Sequence, residues 1–249
     1  MKKLLVIFLI LGSGLSFGQE IYDMSVRVDS VNEMIVKPYN LFSSKSEYWQ
    51  HYRFDNKGRA INGKFYFKEE LREEFVYVYN EHDLLTHQIK IFDINHKDKV
   101  DTLETKYILS EDNKVLVRKS ILRPNDTLIT KYLKHNENKL PVLSKVYHRD
   151  KLSTTWTYEY DSLSRLIKST NQRDTSKTIE TRKYNDNDDI IYSSYEYYPE
   201  PKEPNIYFGG GRLKPTENYR YVYDSLGRWT EKYLILEDKE LLSIVREYK

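Results

Sequence analysis

Residues 156–166 read WTYEYDSLSRL, and residues 219–229 read YRYVYDSLGRW. Tyr158, Tyr160, Asp161 and Arg165 of the first stretch match Tyr221, Tyr223, Asp224 and Arg228 of the second. Gly227 stands where the first has Ser164. Before the Asp, rings alternate with Thr, Glu, Arg or Val, the period of a strand rich in aromatic and β-branched residues. After it, Asp-x-x-Gly is a turn signal. The carboxylate accepts a backbone N–H two residues on, and Gly takes the positive φ that other residues avoid. The phrase therefore predicts a strand, a tight turn and a second strand.

Variants recur along the chain: YRFDNKGR at 52–59, YVYNEHDLL at 77–85, KYILSEDNKVL at 106–116, KYLKHNENKL at 131–140 and KYNDNDDI at 183–190. Aligned on one aromatic per unit, they fall at Phe54, Tyr79, Tyr107, Tyr132, Tyr160, Tyr184 and Tyr223, in steps of 25, 28, 25, 28, 24 and 39. The turn Asp is repeated at Asp55 and replaced by Asn80. The positive-φ slot is assigned to Gly58, Gly227, Ser164, Asp83 and Asp189. The long last step contains residues 198–218, YPEPKEPNIYFGGGRLKPTEN, which hold four of the seven Pro and a Gly-Gly-Gly. This is a loop inserted into one repeat. A polar turn is expected at 95–99. No stretch has an apolar 3.6 period. The expected fold is all-β, an antiparallel meander of about 14 strands. A sheet of that width is expected to coil strongly into a partial barrel or spiral. Residues 19–49 match the repeat poorly and are expected to add a cap or an extra strand to a repeat domain over 50–249.

The phrase resembles the YD repeat of the RHS family, Tyr-x-Tyr-Asp-x-x-Gly-Arg-Leu. Residues 221–229 and 158–166 match well, 52–59 and 77–85 less closely, and the other three are degenerate. The resemblance implies a short, secreted YD-repeat protein of Bacteroidetes type and a link to carbohydrate binding. The self-cleavage Asp-Pro of the large members is missing, as is a toxin domain after the last repeat, so the shell function is not implied.

The first 18 residues read as a signal peptide, with Lys2 and Lys3, an apolar run from Leu4 to Leu11, and small residues at Ser16 and Gly18 before the cut. The expected location is secreted, periplasmic or at the cell surface. The full chain has a formal charge of +2, and without residues 1–18 it carries 38 basic against 38 acidic residues. That balance argues against a nucleic-acid partner. No later apolar run is long enough for a membrane-spanning helix. With no Cys, thiol catalysis and Cys-ligated zinc are excluded, and packing alone must hold the chain together.

The 23 Tyr are read as core, because a mean hydropathy of −0.74 leaves few aliphatic residues to bury. Asp55, Asp161 and Asp224 are read as turn residues, not catalytic carboxylates. Residues 185–196 place oxygens near calcium-loop spacing, but Ile190 occupies the position that requires Gly. The six His have no zinc spacing, and no nucleophile elbow, phosphate loop or dinucleotide fingerprint occurs. No cofactor is implied. Tyr198, Tyr207, Phe208 and Arg212 of the inserted loop are the candidate binding residues, because they lie outside the strand pattern. The expected function is non-enzymatic binding or scaffolding at the envelope, with a polysaccharide or an envelope protein as partner. The alternatives are an immunity protein that occupies a toxin and, less favoured, a glycan-active hydrolase.

Overall fold

The computed structural model describes residues 31–38, 47–92, 101–112, 114–123, 126–200, 207–208, 211–212, 216–236 and 239–249. The segment read as a signal peptide and the turn expected at 95–99 lie outside them. The strands are β1 (Glu33–Pro38), β2 (Tyr48–Phe54), β3 (Ala60–Phe67), β4 (Glu70–Tyr79), β5 (Leu85–Phe92), β6 (Asp101–Leu109), β7 (Val115–Arg123), β8 (Asp126–His135) and β9 (Pro141–His148). They continue as β10 (Lys151–Tyr160), β11 (Leu166–Gln172), β12 (Lys177–Tyr184), β13 (Ile190–Tyr198), β14 (Tyr207–Phe208), β15 (Gly211–Arg212), β16 (Thr216–Tyr223), β17 (Trp229–Leu236) and β18 (Lys239–Tyr248). No helix occurs among the described residues.

Apart from the β14–β15 hairpin, which β13 bypasses to pair with β16, each strand pairs antiparallel with its chain neighbours, as the meander predicted. The sheet does not remain a partial barrel of about 14 strands. Sixteen strands form a closed barrel, with β14 and β15 making a separate two-stranded sheet. Closure comes from residues outside the repeat domain drawn from the sequence. β1 pairs with β2 on one side, Met34 opposite Tyr52, and with β18 on the other, Met34 opposite Tyr248. Its alternation of Met34 and Val36 is short, yet both side chains are buried, with Val31, in the main core cluster. A closed sheet has no unpaired edge, and that is what β1 supplies.

The turn chemistry follows the sequence closely. In the turn at 161–165 the Ser164 N–H donates to the Asp161 carbonyl at 3.0 Å, and the Asp161 N–H donates to the Arg165 carbonyl at 3.0 Å. Asp161 Oδ1 accepts the N–H groups of Leu163 and Arg165, and Oδ2 accepts Arg165 Nε at 2.7 Å. The same bonds recur around Asp55 and Asp224. Asn80 and Asn185 reproduce the backbone part. The left-handed slot is held by Gly58, Asp83, Lys139, Ser164, Asp188 and Gly227. Asp188, not the expected Asp189, fills it in the sixth repeat; Asp189 takes the place of the motif Arg. A β-bulge at the last residue before the turn, such as Glu159/Tyr160, completes the type I turn plus left-handed residue.

Two repeats are shifted from the sequence alignment. The residues directly before the third and fourth turns are Leu109 and His135, not the aligned Tyr107 and Tyr132. Tyr107 and Tyr132 lie earlier on their strands and still face inward, opposite Arg118 and Ser144. A bulge between Tyr132 and Lys134 separates ring from turn.

Tyr hydroxyls near the ends of the strands also staple several repeats to their predecessors. Tyr79 donates to the Ala60 carbonyl, Tyr160 to Pro141, Tyr184 to Leu166, Tyr221 to Ile190 and Tyr248 to Trp229, at 2.7–2.9 Å. His135 Nε2 lies 3.0 Å from the Val115 carbonyl, the same rung with an imidazole. The motif Arg points forward instead. The guanidiniums of Arg59, Arg165 and Arg228 sit 4.7, 5.0 and 4.5 Å from the ring centres of Tyr79, Tyr184 and Tyr248. Arg59 and Arg165 also pair with the next turn's Asp83 and Asp188, at 2.6 and 3.1 Å.

Burial opposes ionisation of Asp55, Asp161 and Asp224. The bonds from the Arg side chain and the turn N–H groups nevertheless hold all three carboxyls below the usual range. A carboxyl depressed in the folded chain adds stability that is present above its unfolded pKa of about 3.9 and is lost as pH falls through the folded value. Thermal melts are therefore expected to hold level near neutrality and drop from about pH 4 downward. Asp55→Asn/Asp161→Asn/Asp224→Asn is expected to melt lower at neutral pH and to lose less on acidification. An unchanged acid slope in that variant would assign the acid sensitivity elsewhere.

Candidate functional site

Strand alternation in a closed sheet gives every residue an inner or outer face, and the buried set identifies the inner one. Tyr158, Ser169, Glu180 and Tyr195 lie in register on β10–β13, all inward. Small residues recur at mid-strand: Gly63, Thr105, Ser120, Thr130, Ser144, Ser169 and Ser193 are all buried. They lie beneath longer neighbours. Ser144 Oγ meets the Tyr158 hydroxyl at 3.1 Å, and Thr105 meets Ser120 at 2.9 Å. At the end formed by the Asp-Arg turns the wall is apolar, with Met34, Tyr52, Phe54, Ala60, Tyr221 and Trp229 in one cluster.

Toward the opposite end the inner wall becomes polar and more exposed. Glu180 Oε1 accepts Arg182 Nε at 2.7 Å and the Tyr195 hydroxyl at 3.2 Å, and Oε2 accepts Ser169 at 3.3 Å. Burial works against the Arg182 charge, but Glu180 outweighs it and raises its pKa. Burial raises Tyr195 as well, with Glu180 adding to the shift. Across β16 and β17, Tyr219 donates to Glu217, and Lys232 Nζ lies 4.0 Å from the Tyr219 ring centre. On β4 and β5, Lys90 pairs with Glu73 at 2.8 Å beside Phe75 and Phe92. The rim on β2 and β3 carries three rings. Tyr48, 40% exposed, lies 5.7 Å from Phe65 and 4.7 Å from Phe67. The Lys68 ammonium and Arg72 guanidinium stand 5.2 and 5.8 Å from the Phe67 ring.

Of the residues singled out in the sequence, Tyr158 is buried and Tyr79, Tyr160 and Tyr223 are partly buried in the inner wall. Burial, with a bond to Asp189 Oδ2, pushes the Tyr223 phenol up to about 12. Within the segment spaced like a calcium loop, Asn185 Oδ1 caps its own turn, Asp188 pairs with Arg165, and Asp189 accepts Tyr223. Among the described residues no group of three or more His, Asp or Glu could hold a metal ion. Tyr198 ends β13 on the outer face, half exposed. Its hydroxyl donates to Glu196 at 2.9 Å, and Lys177 lies 5.5 Å from its ring centre. Tyr207–Phe208 and Gly211–Arg212 form a small hairpin, Tyr207 opposite Arg212. The insertion is shorter than 198–218, because Thr216–Asn218 already belong to β16. It leaves and rejoins the barrel at the end opposite the Asp-Arg turns.

Tyr48, Phe65, Phe67, Glu73, Lys90, Glu180, Arg182 and Glu217 stand in no motif of the sequence. Their signal is parity: Glu180 and Arg182 alternate in step with the buried rings of neighbouring strands. Without the pairing register, such residues look like an ordinary solvent face.

The outer face differs. Mid-strand outward positions include Lys64, Glu74, Lys106, Lys119, Lys131, Lys145, Lys168, Lys183, Arg220 and Glu231. A membrane-spanning barrel keeps an apolar outward band about 25 Å tall, and charges on this many strands interrupt one. No helix of the described residues is long and apolar enough to cross a membrane.

No protein-family profile matches the chain, and no characterised protein matches it in sequence. Among solved structures it is similar to a porin-like protein from Bacteroides uniformis ATCC 8492. That match has a TM-score of 0.56 and 12% identity, and covers 88% of this chain and 98% of that one. At this identity the likeness concerns the fold. A weaker match is the Photorhabdus luminescens Tc holotoxin pore carrying TccC3-D651A, with a TM-score of 0.29, 11% identity, and 79% and 14% coverage.

Proposed function

We propose that the chain is a secreted, non-enzymatic binding module of the cell envelope, a short YD-repeat barrel that takes up a polysaccharide segment at its more open end. The observation that carries this reading is the inner rim, where the exposed Tyr48 and the partly buried Phe65 and Phe67 stand near paired carboxylates and cations such as Glu73 and Lys90. Rings stack on the apolar faces of sugars, and bound carboxylates and guanidiniums present fixed acceptors and donors to hydroxyls. The outward charges support a barrel that works in water and holds its ligand inside. The inserted segment that holds Tyr207, Phe208 and Arg212 leaves and rejoins the barrel at the same end, which makes it a candidate second wall of the site.

The test is a glycan array and titration with purified residues 19–249. Binding is expected to fall at least about tenfold in Tyr48→Ala/Phe67→Ala, consistent with the loss of two stacking rings. A smaller loss is expected in Tyr207→Ala/Phe208→Ala. Circular dichroism should remain unchanged in both. Failure to bind any glycan would sink the sugar reading and turn the same rim toward a protein partner, the immunity alternative included. Glycan turnover by the purified chain would overturn the non-enzymatic assignment.

A further inference from the structure

We propose that the outer face of β6–β9 docks the barrel sideways on an anionic lipid surface. Two lysine pairs stand directly opposite one another there: Lys106 faces Lys119 across β6 and β7, and Lys131 faces Lys145 across β8 and β9. Like charges at directly opposed positions destabilise a sheet. Placing two such pairs side by side calls for an anionic counterpart. Among the described outward residues of these strands the sole carboxylate is Glu104, 3.3 Å from Lys106. Two outward cations on other strands face carboxylates instead: Lys168 pairs with Glu159 at 3.0 Å, and Arg220 with Glu240 through two bonds of 2.6–2.7 Å.

The lysines are set among aliphatic residues. Ile108 and Val117 oppose each other in the row of Lys131 and Lys145, and Ile129 and Tyr147 continue the row of Lys106 and Lys119. Ile108 is 52% exposed and Leu133, at the end of the patch, 48%. The Lys131 ammonium lies 5.1 Å from the Tyr147 ring centre. Protein interfaces deplete lysine at their apolar core. A lipid surface accommodates lysine and aliphatic side chains together, the ammonium at the phosphates and the methyl groups at the acyl boundary. A second copy of this chain, packed face to face about a two-fold axis, would set the lysines against themselves. The patch is therefore matched to anionic lipid and is independent of the ligand at the barrel's rim.

The test is co-sedimentation of residues 19–249 with vesicles of phosphatidylglycerol and phosphatidylcholine, against phosphatidylcholine alone, at low salt and at about 0.5 M salt. Binding is expected only to the anionic vesicles, reduced by salt and lowered at least about tenfold by Lys119→Glu/Lys131→Glu. The control, Lys64→Glu/Lys183→Glu, has the same change in charge on other strands and is expected to bind nearly as the native chain. Ile108→Ser/Leu133→Ser, read against the same vesicles, is expected to weaken binding while leaving the salt dependence. Equal loss in the two charge-reversed variants would reduce the effect to net charge and overturn the proposal. So would an absence of anionic preference, or binding to soluble poly-glutamate without binding to vesicles, which would assign the patch to an acidic protein.

Discussion

A chain beginning at residue 39 is expected to lose its closed-barrel fold. The lost segment carries Val31, just before β1, and Met34 and Val36 on it, each at most 4% exposed. Burying each side chain stabilises by roughly 1.5–3 kcal/mol, so their joint loss approaches the 5–15 kcal/mol that typically holds a domain together. The truncation also strips the partner ladders from β2 and β18 and leaves two long edges, a template for pairing between chains. Size-exclusion chromatography with light scattering should show oligomers or aggregate, and the thermal transition should broaden or vanish. A truncated chain that remained monomeric with an unchanged melting temperature would show that closure contributes little.

The second large effect is expected at Gly63. The backbone there needs no unusual φ; the constraint is space. A Cβ on Gly63 would sit 2.9 Å from Tyr52 Cε1 and 3.1 Å from Cδ1, with Phe75 Cβ at 3.7 Å. The Tyr52 ring lies across the glycine, 5% exposed, and its hydroxyl donates to Gln50 Oε1 at 2.7 Å. Gly63→Val must displace that ring. The expected cost is about 1–3 kcal/mol of overpacking, with the Tyr52–Gln50 bond lost in addition. For a chain of this length that is roughly 2–4 °C in melting temperature per kcal/mol. In a double-mutant cycle Gly63→Val/Tyr52→Leu should recover part of the loss, because the ring that clashes is gone. Full additivity would place the strain away from Tyr52.

Local chemistry was legible in the sequence. The Asp at 55, 161 and 224, the Gly at 58 and 227 and the alternating rings specify a turn and two strands without reference to the rest of the chain. Closure was not legible, because it rests on the pairing of Ile35 with Glu247, two residues at opposite ends of the chain and six residues of weak pattern. The third and fourth repeats were misaligned for a related reason. The position before the turn asks for a group that reaches the preceding repeat, and His135 meets that demand as well as Tyr does, while Leu109 abandons it. A ring nearby at Tyr107 or Tyr132 was the stronger signal to the eye and the wrong one. The candidate rim was partly legible, since Phe65 and Phe67 alternate. Their alliance with Tyr48, and that of Lys90 with Glu73, requires the register.

The hydroxyl rungs run only between adjacent repeats, and each strand meets just its two neighbours in the ring. Circumference is thus a modular quantity. A tandem copy of one repeat would add a hairpin, preserve an even strand number, and still bring β1 to β18 antiparallel, with every rung finding its usual acceptor. A repeat can thus be added without a new kind of strand pairing or rung, so the number of strands is open to change by gene duplication.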